Sequence, residues 1–453
     1  MKRTSPAGAL AVLLVALFAE LWAGTGLRFR TPGRISTDPG RPALETGLQR
    51  RLARRLGQDY APDRVLVRFK PTVTDLYAEA LLATYGFPAV RRIPGIGVYV
   101  VQTAETASVM ETLAMLRRNG DVELAQPDYR ARLADVPDDP YFAVYQWNLR
   151  NLGIVLEISS TVHPLTTAGA DIKAVPAWDA AKGDAGVVIA VLDTGVDLGH
   201  PDLAPKIESS GYDFANDDDD ATDDHWHGTH VAGIAAADTD NGAGVAGVAW
   251  NCRILPVKVL DQNGDGYYSW IAAGIVWAAD NGADVINLSL GGPYDDPFLE
   301  DACRYACERG AVIAAAAGNE SSAVLYPAAY DAYVLAVTAS NYDDAIAGFS
   351  NRGPAVDVAA PGVYIFSTVP RYYVGEGNPP YRFATGTSQA TPHVAGLAAL
   401  IVSAKPDLPP ADVMNVIRYT ADDINRASYP GRDDFAGYGR INMERALVPY
   451  ILR

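Results

Sequence analysis

Cysteine is scarce in this 453-residue chain, which contains only Cys252, Cys303 and Cys307. An odd number leaves at least one thiol unpaired, which excludes a fully cross-linked framework within a single chain. Cys303 and Cys307 lie one helical turn apart, where a direct bridge would strain a helix. A bridge from Cys252 to one of these two is one interpretation and three buried free thiols are the other, and the sequence leaves both open.

Positive charge is also in short supply, because 37 Lys and Arg face 54 Asp and Glu and give a formal net charge of −17. The imbalance is uneven, since residues 1–133 carry +7 and the remainder carries −24. So acidic a remainder argues against nucleic-acid binding, in which phosphates are neutralised by basic side chains. It fits a soluble protein that recruits cations.

Apolar runs long enough to span a membrane are missing after the first residues of the chain. The N-terminal apolar stretch, residues 9–19, follows Lys2 and Arg3, which is typical of a secretory signal and short for a membrane helix. We therefore predict a cleaved signal over residues 1–24, with an uncleaved anchor as the minority alternative. Residues 25–59, rich in Arg, Pro, Gly and Thr, predict a linker.

Four short motifs together supply the groups that acyl transfer through a serine requires. They are Val-Leu-Asp-Thr-Gly at 191–195, His-Gly-Thr-His at 227–230, Ala-Ala-Gly-Asn at 316–319 and Gly-Thr-Ser-Gln-Ala-Thr-Pro-His at 386–393. A serine hydroxyl is a weak nucleophile at neutral pH and needs a base such as histidine within hydrogen-bond reach. A carboxylate orients that histidine, and an amide donor stabilises the oxyanion of the tetrahedral intermediate. Asp-Thr-Gly alone would also fit an aspartic protease, but no second copy of that motif is present.

The order Asp193, His227, Ser388 along the chain resembles that of the subtilisin-like serine proteases. From about residue 135 onward the chain is similar to the thermitase branch of this family. The resemblance implies that these three residues form a catalytic triad and that Asn319 is the oxyanion donor of a serine endopeptidase working through an acyl-enzyme. A catalytically silent homologue that acts as a binding module is the alternative. His225 and His227 form a His-x-His pair, but no third ligand at zinc spacing follows.

Strand and helix patterns predict two domains of different class. From residue 187 onward apolar strands alternate with helices, which predicts an α/β three-layer sandwich with a mainly parallel sheet, as in subtilisin. Residues 60–133 predict a β-α-β-β-α-β order, a small α+β ferredoxin-like domain that resembles the family's inhibitory prodomain. The resemblance implies that this prodomain acts as intramolecular chaperone and inhibitor of a self-processing zymogen, whose catalytic domain covers residues 134–453.

The resemblance also implies a cleft in which a polypeptide substrate is held as an added strand. Two segments are similar to the family's edge strands, and Tyr268 is expected to line an outer apolar subsite. The predicted substrate-binding residues are Leu260, Gly264, Asp265, Gly266, Tyr268, Ser289, Leu290 and Gly291. Trp226 departs from the family pattern, in which glycine precedes the histidine. Leu325 is placed to shorten the main specificity pocket.

Structural calcium is the expected cofactor, because hard cations take carboxylate and carbonyl oxygens. The resemblance implies one site made by Asp139, Asp202 and Asn241 with the carbonyls of Ala243 and Val245. Residues 213–224 contain seven acids and are either a second cation site or a solvated acidic loop. The mature protein is expected to be a secreted monomer, with no membrane or nucleic-acid partner.

Overall fold

The computed structural model describes residues 60–87, 89–103, 107–129, 136–159, 162 and 164–451. The chain divides into the units Met1–Gln58 and Asp59–Arg453. The predicted signal and nearly all of the predicted linker lie outside the described residues, as do residues 130–135, where the predicted prodomain ends. Within the described part, no helix is both long enough and apolar enough to cross a membrane.

The N-terminal part of the second unit is a four-stranded antiparallel sheet with two helices. Its elements are β1 (Tyr60–Phe69), α1 (Asp75–Thr84), β2 (Ala89–Ile93), β3 (Val98–Gln102), α2 (Val109–Leu116) and β4 (Val122–Tyr129). The strand order β2-β3-β1-β4 and the antiparallel pairing are those of a ferredoxin-like domain, which confirms the predicted class. Helix α2 begins in a capping box, in which Ser108 and Glu111 satisfy each other's backbone N–H.

The larger part contains a seven-stranded parallel sheet, as predicted. Its strands, in the order β11-β10-β9-β8-β5-β7-β6, are β5 (Val188–Asp193), β6 (Tyr212–Asp213), β7 (Arg253–Lys258), β8 (Val285–Leu288), β9 (Val312–Ala316), β10 (Val334–Ser340) and β11 (Val356–Pro361). A separate hairpin pairs β12 (Ile365–Thr368) with β13 (Tyr381–Ala384). The helices are α3 (Phe142–Tyr145), α4 (Ala174–Trp178), α5 (His227–Ala236), α6 (Tyr268–Asp280), α7 (Pro297–Glu308), α8 (Arg371–Val374), α9 (Thr387–Ala404), α10 (Pro410–Thr420) and α11 (Met443–Ile451).

Two hydrophobic cores lie on opposite faces of this sheet. Along β5, Ile189 and Val191 point into one core, while Ala190 and Leu192 point into the other. The first core surrounds α9, and the second lies under α6 and α7. Strands that are apolar on both faces and covered by helices on both sides confirm the three-layer sandwich.

The cysteines do not pair, so the predicted bridge from Cys252 is wrong. All three thiols are free, and Cys252 and Cys303 lie in the two different cores, on opposite faces of the sheet. A disulfide needs Cα atoms within about 7 Å, which residues separated by a sheet do not reach. Cys307 is only half-buried, so the alternative of three buried free thiols holds for two of them.

Candidate active site

Asp193 and His227 are in direct contact at the carboxyl end of the parallel sheet. Asp193 is the last residue of β5 and is fully buried, and His227 is the first residue of α5. The Nδ1 atom of His227 lies 2.7 Å from Oδ1 of Asp193, and the His227 side chain keeps 17% of its surface exposed. Such a contact fixes the ring and leaves Nε2 available for chemistry.

The surroundings of His227 favour its charged form. Burial alone would lower the pKa of His227, but the charge of Asp193 and the hydrogen bond to it, with a contribution from Asp223, outweigh burial and raise this pKa above its ordinary value. An imidazolium formed beside Asp193 is therefore stabilised, as a general base requires after it takes a proton.

Asp223 holds together the loop that delivers His227, a role that the sequence did not reveal. Its side chain is buried and accepts hydrogen bonds from the backbone N–H groups of His225, Trp226 and Thr229 and from the hydroxyls of Thr194 and Thr229. Thr194 Oγ1 in turn accepts from the N–H of Gly228 at 3.0 Å. Asp223 was hidden among the seven acids of the run, of which it and Asp213 are buried and the others are exposed.

Ser388 lies in the first turn of α9 and exchanges two hydrogen bonds with Ser289. The Ser388 hydroxyl donates to the carbonyl of Ser289 at 3.0 Å, and the Ser289 hydroxyl donates to the carbonyl of Ser388 at 2.9 Å. The second bond has a cause in the sequence, because Pro392, four residues on, has no N–H with which to satisfy the Ser388 carbonyl. The Ser388 hydroxyl is thus engaged by the segment after β8.

Asn319 follows β9 and is exposed beside the start of α9. Its Oδ1 accepts from the backbone N–H of Thr387 at 2.8 Å and from the Thr387 hydroxyl at 3.0 Å. With Oδ1 occupied, the amide presents Nδ2 as its free donor. The backbone N–H of Ser388, one of the unpaired donors of a helix N-terminus, follows that of Thr387 along the chain.

A cleft of about 740 Å³ extends from His227 along the predicted substrate-binding residues. All eight of them line it, from Leu260 and Gly264 to Ser289 and Gly291, together with Tyr267 and Tyr294. A methyl group on Gly266 would lie 2.4 Å from the carbonyl oxygen of Val259. Side chains are excluded there by close packing.

Lys258 connects the segments that follow β5 and β7 with the loop before α5, and the sequence analysis did not identify it. It is 1% exposed at the end of β7, and its Nζ donates to the carbonyls of Thr194 and Leu260 and contacts Asp224 at 2.6 Å. Buried lysines are rare unless they are paired in this way. The Val-Lys-Val pattern at 257–259 suggests only a strand, so the signal appears only when the fold brings the three partners together.

Two further histidines, His230 and His393, are buried and structural. His230 is fully buried, and burial lowers its pKa to about 3, so it stays neutral. His393 is buried between Asn148 and the carbonyl of Gln389, and burial lowers its pKa to about 4. No group of three His, Cys, Asp or Glu side chains that would hold a metal ion occurs among the described residues. Among the described residues, no third ligand for a zinc ion accompanies His225 and His227.

The residues predicted for calcium come together at a different place in the fold. Asp139 and Asp202 are 3% and 0% exposed, and Asn241 Nδ2 lies 3.2 Å from Asp202 Oδ1. Among the described residues none donates a hydrogen bond to the buried Oδ1 of Asp139. Burial raises the pKa of Asp139 to about 6, with the nearby charge of Asp202 adding to the effect. Val245 donates its N–H to Asp202 at 2.9 Å, and Ala243 donates to Asn241 Oδ1 at 2.7 Å.

Several carboxylates of the acidic run at 213–224 accept hydrogen bonds from the backbone of the run itself. Asp213, Asp218 and Asp220 accept hydrogen bonds from backbone N–H groups two or three residues further along the chain. These are the self-capping turns that aspartate forms readily in loops. Asp217 to Asp220 and Asp224 are exposed, as in a solvated loop, whereas Asp213 and Asp223 are buried.

Known protein families match both parts of this chain. The subtilase family matches residues 184–439, and the fervidolysin N-terminal prodomain matches residues 50–128. The thermophilic serine proteinase of Bacillus sp. (strain AK1) is 41% identical over 86% of this chain and 88% of its own length. Thermitase of Thermoactinomyces vulgaris is 40% identical over 69% of this chain and 99% of its own length.

Solved structures extend the likeness to both parts of the chain. Fervidolysin from Fervidobacterium pennivorans, described as a keratinolytic enzyme related to subtilisin, matches with a TM-score of 0.56 and 29% identity, covering 86% of this chain and 61% of that one. A protease of Pseudoalteromonas arctica matches with a TM-score of 0.59 and 35% identity over 69% of this chain and 99% of that one. This chain is therefore a member of the subtilase family of serine proteases, of the thermitase-like kind, with a fervidolysin-like N-terminal prodomain.

Proposed function

We propose that this protein is a secreted serine endopeptidase that hydrolyses peptide bonds through Asp193, His227 and Ser388 and is made as a self-processing zymogen. The observation that carries this proposal is the 2.7 Å contact between Asp193 and His227 at the head of a peptide-sized cleft. The subtilase match over the same residues supports it.

The proposed reaction begins when a peptide binds in the cleft and Ser388 turns from the Ser289 carbonyl toward His227. His227 takes the hydroxyl proton while Ser388 Oγ attacks the carbonyl carbon of the scissile bond. The oxyanion accepts from Asn319 Nδ2 and from the N–H of Ser388, and its collapse expels the amine, which receives the proton from His227. Water then repeats the sequence on the acyl-enzyme and releases the acid.

The test is covalent labelling of the purified protein with a serine-reactive phosphonate. Labelling of Ser388 that is lost in Ser388→Ala supports the triad, and Asn319→Leu should raise the barrier to turnover by about 3 kcal/mol. A folded protein that takes no label would favour the silent binding homologue instead. The Ser388→Ala variant should also keep its prodomain uncut, and normal maturation of that variant would contradict self-processing.

The prodomain is proposed to dock on the catalytic part as chaperone and inhibitor. Its match to the fervidolysin prodomain supports this role. Cleavage is expected after Arg130 and before Pro137, between β4 and the first described residues of the catalytic part. N-terminal sequencing of the secreted enzyme tests the boundary.

Structural calcium is the proposed cofactor, held by Asp139, Asp202 and Asn241 with carbonyls such as those of Ala243 and Val245. The residues fit the ion, because two buried carboxylates lie close enough for their charges to interact and one of their oxygens, Oδ1 of Asp139, has no donor. When bound, calcium neutralises these charges and supplies no step of the reaction. Asn241 now turns its Nδ2 to Asp202, so coordination through its Oδ1 requires the amide to rotate.

A further inference from the structure

An arginine beside the catalytic histidine stands out because no carboxylate neutralises it. Arg382, in β13, holds its guanidinium carbon 4.5 Å from the ring centre of Trp226 and 4.7 Å from that of Tyr373. Its Nε donates only to the neighbouring carbonyl of Phe383, at 3.3 Å. Among the described residues it forms no ion pair. The two acids that precede Trp226 in its loop have other partners, since Asp223 binds five donors and Asp224 pairs with Lys258.

The two aromatic rings fix this charge in position. The ring centres of Trp226 and Tyr373 are 5.6 Å apart, and cation–π contact with both restrains the guanidinium. Trp226 itself has a φ of 142°, a conformation that a bulky residue adopts only when its surroundings impose it. The backbone N–H of Trp226 donates to Asp223, so the carboxylate that holds the loop before His227 also fixes the position of Trp226.

The stack contacts the candidate active site through the ring of His227. The Trp226 ring packs edge-on against the His227 ring at 5.5 Å. The cleft on the other side of His227 holds the predicted edge strands, and none of Trp226, Tyr373 and Arg382 lines it. Strand β13 ends four residues before Ser388. A side chain near the nucleophile and His227 but outside this cleft is placed to meet the part of the substrate that leaves as the amine.

We propose that Arg382 is a specificity-determining residue that binds an acidic side chain of the substrate at the first or second position after the scissile bond. This inference rests on the proposed peptidase activity. A half-exposed guanidinium, with the four N–H donors other than the one on Nε in a fixed fork, suits a carboxylate better than an amide or a cation. The surrounding protein is strongly acidic, so a fixed local cation also prevents repulsion of such a substrate.

The test uses the mature enzyme and quenched peptides that differ only at those two positions, carrying Glu, Gln or Lys. We expect the ratio of kcat/KM for Glu over Gln to be about three- to tenfold at low salt and to fall toward one in 1 M NaCl. Arg382→Gln should bring the ratio to about one, and Arg382→Lys should retain part of it. Arg371→Gln removes an exposed arginine of the same segment and should leave the ratio unchanged.

Each outcome separates this inference from the proposed function. Equal cleavage of the Glu and Gln peptides by the unaltered enzyme would overturn it, a measurement that does not depend on any variant folding. If Arg382→Gln lowered kcat/KM equally for all peptides, the stack would have only a packing role and the specificity proposal would be wrong. Failure to cleave any peptide, with no phosphonate label, would instead contradict the peptidase assignment.

Discussion

Single side chains around His227 determine its basicity. The raised pKa of His227 comes from negative charge that outweighs burial, and Asp223 contributes without touching the ring. Asp223 therefore acts in two ways, since its five hydrogen bonds hold the loop and its charge stabilises the imidazolium. Replacement of Asp223 by asparagine tests the second of these roles, the effect of its charge.

Replacement of Asp223 by Asn should lower the pKa of His227, because one of the charges that raises it is lost. Only neutral His227 accepts the serine proton, so activity rises as the pH passes upward through this pKa, and the acidic limb of kcat/KM should move to lower pH. A pH–rate profile measures the shift. Asp220→Asn, which removes an exposed acid of the same run, is the control, and an unmoved limb in Asp223→Asn would show that His227 does not respond to this charge.

Leu325 should set the depth of the main specificity pocket. A Cβ on Gly291 would lie 3.0 Å from Leu325 Cβ, and one on Gly318 would lie 2.9 Å from Leu325 Cδ1, so this side chain fills the space between the cleft wall and the Asn319 loop. Leu325→Ala should raise kcat/KM for large aromatic residues before the scissile bond by about tenfold relative to alanine. Val324→Ala is the matched control, and an unchanged preference in Leu325→Ala would contradict this placement.

At the scale of elements, the decisive junction is that between the end of β8 and the start of α9. Pro392 is compatible with a long buried helix because the carbonyl that it leaves unpaired is bound by Ser289 from another element. The helix start that carries Ser388 is thereby fixed to the segment that lines the substrate cleft. The carbonyl left unpaired within the helix therefore forms a hydrogen bond to another part of the fold.

Ser289→Ala should therefore destabilise the protein by about 1–3 kcal/mol, the cost of leaving a buried carbonyl unsatisfied. In a Pro392→Ala background, where the helix supplies its own N–H, the same substitution should cost about 1 kcal/mol less. Unfolding is measured on Ser388→Ala protein, which retains the carbonyl and cannot digest itself. Additive effects of the two substitutions would mean that Ser289 does not replace the missing donor.

At the scale of the whole molecule, the calcium residues join segments that are far apart in sequence. Asp139 precedes α3, Asp202 follows β5, and Asn241 follows α5. An ion that binds only the folded state adds stability as RT ln(1 + [L]/Kd), about 2.7 kcal/mol at a hundredfold excess over Kd.

Chelation should accordingly lower the melting temperature and speed self-digestion, while single-turnover acylation of still-folded enzyme stays the same. Asp202→Ala should reproduce the chelated protein and respond no further to chelator, whereas Asp261→Ala, a loop acid of the cleft side, should respond as the unaltered enzyme does. A melting temperature that chelator does not move would remove the calcium proposal. Immediate loss of chemistry in folded protein would point to a catalytic metal.

Local patterns in the sequence were enough for the elements and for the candidate chemical groups. Strands that are apolar on both faces, such as β5, indicate a parallel sheet. Asp193, His227 and Ser388 stand at element ends, and Asn319 follows β9 by three residues. The hairpin β12–β13 and helices α10 and α11 were not predicted, because their short or mixed patterns acquire meaning only through packing.

What tertiary structure alone decided is which distant groups meet. The sequence could not place Cys252 and Cys303 on opposite faces of the sheet, nor separate Asp223 from the acids around it, since burial depends on the packing of other segments. The same holds for Lys258, for Ser289 with Pro392, and for Arg382 between Trp226 and Tyr373. Periodicity is a property of neighbours along the chain, whereas charge pairing, desolvation and carbonyl satisfaction belong to neighbours in space.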